Sequence, residues 1–137
     1  MVKDSLEQTQ AAANIDAAHY VFWQPFKLTD SSAKKVYLGK QKILDSIEVL
    51  TVKVSYSYDP KAFVWFYYFH PENYNVKAVK VKHNRRTSLI LNDSYETQIG
   101  LSLNKTRRSF FLNTLGKIDY LRVAYQYEID SIKLNQK

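Results

Sequence analysis

The densest chemistry in this chain is cationic. Lys77, Lys80, Lys82, His83, Arg85 and Arg86 fall in one segment, and Arg107 with Arg108 forms a second basic pair. Lysines at alternate positions of an extended segment project from one face, where they can neutralise phosphates, while aromatics such as Trp65 or Tyr67 can stack on unpaired bases. That combination points to a basic single-stranded nucleic-acid-binding domain. The same lysines can instead shield a sheet edge from aggregation, and the arginine pair can solvate a helix. A net charge of +7 serves both readings, since it attracts nucleic acid, anionic lipid or an acidic protein and also keeps a surface soluble.

Catalytic and metal-binding residue types are sparse. His19, His70 and His83 stand apart, with no paired spacing of the metalloprotease kind. His70, in "FHPEN" beside Glu72, is the best placed to act as a general base, and its alternative role is that of a turn histidine. The chain has no cysteine, which removes disulfides, cysteine-held zinc or iron–sulfur clusters, and a thiol nucleophile. It carries no nucleophile elbow, phosphate-binding glycine loop or dinucleotide fingerprint. The expectation is a non-enzymatic protein with no catalytic residues, no cofactor and no metal. Asn92-Asp-Ser94 and Asn104-Lys-Thr106 fit the glycosylation acceptor pattern and serve equally well as turns and caps.

The elements that must position these residues follow from periodicity. Residues 1–14 carry helix formers but no amphipathic stripe and read as a flexible N-terminal segment, leaving 15–137 as a single domain. The run "IDAAHYVFWQPF" is apolar and aromatic, and Pro25 ends any helix near Gln24. No signal-peptide core or stretch of membrane-spanning length occurs. In "GKQKILDSIEVLT", Ile43, Leu44, Ile47 and Leu50 recur at helical spacing, which predicts a short amphipathic helix over 40–50. From Val52 to Tyr58 the period becomes two, so a strand follows. "AFVWFYYF" is apolar on both faces and reads as a central strand, and "NVKAVKVKH" as a half-buried one. Thr87–Leu91 forms another strand that stops at the turn formers Asn92, Asp93 and Ser94.

Strand character returns from Thr97 to Leu103, with Gly100 marking a bulge. Asn104 or Thr106 can then cap a second short helix over 105–115, whose apolar face is Phe111, Leu112 and Leu115 and whose stop is Gly116. Leu121, Val123, Tyr125, Tyr127 and Ile129 alternate in the last strand. Both halves therefore read as a short helix followed by antiparallel strands, an arrangement that admits two degenerate helix–strand repeats. The expected fold is α+β: an antiparallel sheet of five or six strands with two short helices packed on one face.

Residues 97–127 carry Gly100, Leu103, Thr106, Phe110, Phe111, Leu115, Gly116, Tyr125 and Tyr127 in an order that resembles the envelope-protein family of BamE/SmpA-type outer-membrane lipoproteins and the β-lactamase inhibitor protein. The resemblance covers about a quarter of the chain. It implies helices on one face of an antiparallel sheet, a periplasmic or secreted location, and function by protein–protein contact. Asn104-Lys105 replaces the glycine-containing turn common in that family, and no lipid-attachment cysteine is present.

The resulting expectation is a non-catalytic protein-binding module of a bacterial cell envelope that presents an aromatic sheet face to a protein partner. Its contact residues are Tyr56, Trp65, Tyr67 and Arg122, because tyrosine, tryptophan and arginine dominate binding hot spots. The alternative is the single-stranded nucleic-acid binder, acting through Lys77, Lys80, Lys82, Arg85, Arg86, Arg107 and Arg108.

Overall fold

The computed structural model describes residues 8, 28–29, 31–56, 63–83, 86–96 and 103–128. The chain divides into two compact units, Met1–Asp30 and Ser31–Lys137. The sequence readings for 1–7 and 9–27, for Gly100 and for Thr97–Leu101 lie outside the described residues.

The second unit is one antiparallel sheet of seven strands: β1 (Ala33–Ile43), β2 (Ile47–Tyr56), β3 (Val64–Phe69), β4 (Val76–His83), β5 (Arg86–Glu96), β6 (Leu103–Leu112) and β7 (Ile118–Gln126). Spatial order equals chain order, so the sheet is a meander in which every strand pairs with its sequence neighbour. The β-branched and aromatic residues that fill β2 to β5 favour this pleated, half-buried setting.

The described part of the sheet contains no helix, which overturns the α+β expectation. The segment read as a helix over 40–50 is the end of β1, a turn and the start of β2. Ile43 pairs with Ile47, and Gln41 with Val49, across this hairpin. A spacing of four residues stacks side chains on a helix, but around a three-residue turn it sets the same two residues opposite one another. Leu44 and Asp45 take positive φ values of 48° and 65°, and the Ser46 amide donates to the Ile43 carbonyl at 3.3 Å. Positive φ at two successive turn residues matches the right-handed twist of the flanking strands.

The second expected helix, 105–115, is also extended. Residues 105–112 belong to β6, which pairs with β5 and β7 along both edges. A helix of about ten residues is marginal alone, so the segment's conformation is set by the two flanking strands that need a partner. Gly116 does take a positive φ, of 77°, as the helix-stop reading required. It does so inside the β6–β7 turn, where its amide donates to the Asn113 carbonyl and Asn113 Oδ1 accepts from the Leu115 and Lys117 amides. Gly39, at φ 86°, follows a bulge at Leu38 in β1.

Register assigns the two faces. Val49, Thr51, Tyr68, Ala78, Leu89 and Leu91 lie on one, and Val49, Tyr68, Ala78 and Leu89 form a buried cluster against which Ile43, Leu44, Ile47, Phe66, Leu91 and Leu112 pack. Val54, Trp65, Tyr67, Val79, Val81 and Ile90 lie on the other, where Val54, Tyr67 and Val79 are buried.

Asn92, Asp93 and Ser94, expected to end a strand, are inside β5, where the register slips twice. The β3–β4 register slips at Lys77 as well. The Val76 carbonyl beside that irregularity accepts from Asn92 Nδ2 and from the Tyr95 hydroxyl.

Candidate functional site

The expected contact residues Tyr56, Trp65 and Tyr67 share one sheet face, through the register that pairs Val54 with Trp65 and Val52 with Tyr67. They differ in what they can offer. Tyr67 is 1% exposed and belongs to the interior, whereas Tyr56 and Trp65 are half-buried. Arg122 is exposed on β7, four strand positions from β3, or about 19 Å across the ladder at roughly 4.8 Å per strand. Its guanidinium is 5.6 Å from the Phe111 ring centroid and that of Arg86 4.8 Å from it, and Tyr120 meets the same ring edge-on. Arg122 therefore belongs to a separate cation–aromatic cluster.

The basic residues are divided rather than gathered. Lys80 and Lys82 sit on the face that carries Tyr68, with Lys80 paired to Phe66 across β3 and β4. The Lys80 ammonium is 4.6 Å from the Phe66 ring centroid and the Lys82 ammonium 5.8 Å from it. Burial and the neighbouring Lys82 charge push the Lys80 pKa down. Arg108 is exposed and holds Asp93 with two bonds of 2.8 Å. Arg86 is with Phe111 on the opposite face, Lys77 is half-buried at the β4 irregularity, and Arg85 lies outside the described residues.

Arg107 departs furthest from a surface role. It is 1% exposed, and burial pushes its guanidinium pKa down while the charges of Tyr127, Tyr95, Tyr125 and Tyr67 oppose that shift. Its ladder partners Asn92 and Tyr125 are on the same face. Ser88 Oγ, Ser109 Oγ and both side-chain amide atoms of Asn104 are also buried, with no hydrogen-bond partner among the described residues. Nothing in the periodicity of "NKTRRSFF" distinguishes Arg107 from Arg108, because one-residue alternation only says that they face opposite ways.

His70 closes the β3–β4 turn. Its Nδ1 accepts from the Glu72 amide at 3.2 Å and the Asn73 amide at 3.4 Å, while its amide donates to the Asn75 carbonyl at 2.8 Å. That is the work of a turn histidine. Among the described residues no group of three His, Cys, Asp or Glu side chains could hold a metal ion, and no helix is long and apolar enough to cross a membrane.

Sequence reasoning missed the open edge of the sheet. Among the described residues β1 has a strand neighbour on one side only, and Val36, Tyr37 and Leu38 are 41%, 63% and 41% exposed in succession. Lys34, Lys35, Lys40 and Lys42 flank them. The signal was present as "AKKVYLGKQK", three apolar residues between lysines, but the run is too short to show which side of a ladder it borders. The other edge, β7, exposes Ile118, Tyr120 and Leu121, yet Tyr120 already packs on Phe111 and accepts a 3.4 Å bond from Arg86. No protein family, curated protein or solved structure matches this chain.

Proposed function

We propose that this chain is a non-catalytic protein-binding module that pairs the outer edge of β1 with an extended acidic segment of a partner protein. The carrying observation is the exposed run Val36-Tyr37-Leu38 on an edge strand, since a sheet edge offers unpaired backbone groups and alternating side-chain sites to an added strand. Lysines protect natural edges, but three consecutive exposed apolar residues are the opposite of protection. Lys34, Lys40 and Lys42 on the strand select for carboxylates. They also disfavour a second copy of the chain, because antiparallel pairing of β1 with itself would bring lysines against lysines. The resemblance of residues 97–127 adds a bacterial cell envelope to the proposal, in a periplasmic or secreted setting.

The test is a photo-crosslinking amino acid placed at Tyr37 in the native host, with the exposed turn position Tyr74 as control. A discrete protein adduct from position 37, absent from position 74 and lost in the Val36→Lys/Leu38→Lys variant, is the expected result. Equal labelling from both positions, or none, overturns the proposal, and a nuclease-sensitive adduct assigns the chain to nucleic acid instead.

A further inference from the structure

The face that carries Tyr68 holds a groove of about 1120 Å³. Its walls come from both ends of the meander: Lys42, Ile43 and Leu44 from the β1–β2 hairpin, and Leu112, Leu115 and Lys117 from the β6–β7 hairpin. Six strand spacings of a flat sheet would hold β1 and β7 roughly 29 Å apart, so a shared groove means that the sheet coils strongly about this face. The volume lies just above the usual range of small-molecule sites, about 300–1,000 Å³.

The lining has two chemistries. Ile43, Leu44 and Leu112 are only partly covered, and with Leu89 they make an aliphatic surface continuous with the buried cluster. Against it stand four lysines, Lys42, Lys80, Lys82 and Lys117, and two carboxylates, Asp45 and Asp119, which leaves an excess of two positive charges. Neither Lys80 nor Lys82 has a carboxylate of the described residues within ion-pair distance; both ammonium groups are set over the Phe66 ring instead. Two like charges held over one ring repel, and an anion placed between them relieves both.

We propose that this groove binds a monomeric amphiphile with one anionic head, a long-chain carboxylate or alkyl phosphate, whose head pairs with Lys80 and Lys82 and whose alkyl chain lies over Ile43, Leu44 and Leu112. A nucleotide fits less well: Phe66 is overlaid by the lysines and Tyr68 is buried, so no ring is open for a base to stack on. This site shares Lys42 with β1 but uses none of Val36, Tyr37 and Leu38, so its test is separate from that of the protein-binding proposal.

Calorimetric titration of the full chain with sodium dodecanoate and with dodecyl phosphate, each below its micelle concentration, tests it. Dodecyltrimethylammonium supplies the same tail with a cationic head, acetate supplies the head alone, and anionic phospholipid vesicles supply the headgroup in a membrane. The expected result is one-to-one binding of the two anionic amphiphiles, affinity for the cationic one lower by about tenfold or more, and no binding of acetate. Lys80→Gln/Lys82→Gln should weaken dodecanoate by about tenfold with an unchanged circular dichroism spectrum. Lys82→Gln alone, at an exposed position, serves if the pair misfolds. Leu44→Asn, which suits the positive φ of that turn, should flatten the dependence of affinity on chain length. Equal binding of both head charges, an unaffected lysine variant, absence of binding, or binding to vesicles only would overturn the assignment.

Discussion

Ile43 and Ile47, four positions apart in the chain, are direct cross-strand partners at the closed end of the β1–β2 hairpin. Their contact depends on the turn between them, and that turn contains two non-glycine residues at positive φ. For Leu44 this costs about 1–2 kcal/mol against an ordinary backbone conformation, and for Asp45, whose short polar side chain tolerates the left-handed region, less.

Relief of that cost is the first prediction. Asp45→Gly should stabilise the fold by about 0.5–1 kcal/mol, the relief being partly offset by the extra freedom glycine gives the unfolded chain. The readout is a higher urea midpoint at unchanged slope. Leu44→Gly should gain less or lose, because Leu44 packs against the buried cluster.

Val76 supplies the second. Its carbonyl takes both the Asn92 amide and the Tyr95 hydroxyl, and Asn92 is buried. Asn92→Ala and Tyr95→Phe should each cost about 1–2 kcal/mol. The double variant should cost more than the sum, because only then is the carbonyl deprived of both donors. Strict additivity in the denaturation cycle would show that the two bonds act independently.

The third concerns alkaline pH. Burial pushes the Tyr68 pKa up from 10.0 to about 12. Between those values the unfolded chain has released the phenolic proton while the folded chain keeps it, so stability must fall as pH rises through this window. Two pKa units correspond to about 3 kcal/mol over the whole range. Tyr68→Phe should therefore show a shallower loss between pH 9 and pH 11.5 in urea denaturation. Tyr95 and Tyr127, pushed up by burial, and Arg107, pushed down by it, titrate in both proteins and cancel in the comparison. Parallel curves would show that the hydroxyl of Tyr68 reaches water.

Arg107 and Arg108 give the fourth, as a contrast between neighbours. The exposed Arg108–Asp93 pair should be worth less than about 1 kcal/mol, so Asp93→Asn should change the melting temperature little, and less still at high salt. Arg107→Ala empties a buried site among tyrosines and should cost about 3 kcal/mol or prevent folding. Equal effects of the two substitutions would contradict their opposite placement.

Strand identity was legible wherever hydrophobicity alternated without competition. Val52 to Tyr56, Val76 to His83 and the final strand were readable because a period of two has no helical equivalent, and Val64 to Phe69 because a short run apolar on both faces suits a central strand. The hairpin at 44–46 was not, since an i, i+4 pair suits a helix and a tight hairpin alike, while Leu50, at i+7, faces the other side of β2 from Ile47. Asn92 read as a turn former because its amide's partner, Val76, lies sixteen residues away in the chain.

The sequence by itself determined the chemistry available: abundant aromatic and β-branched residues that demand a sheet, no thiol, and a positive charge that any partner must answer. Only the tertiary structure decided where that charge acts. Adjacent residues of a strand point to opposite faces, so long-range pairing put Arg107 inside and Arg108 outside, set Lys80 and Lys82 over one ring, and left Val36, Tyr37 and Leu38 on an edge. Those outcomes depend on which strand lies beside which and on how tightly the sheet coils, and neither is encoded in the local period of the chain.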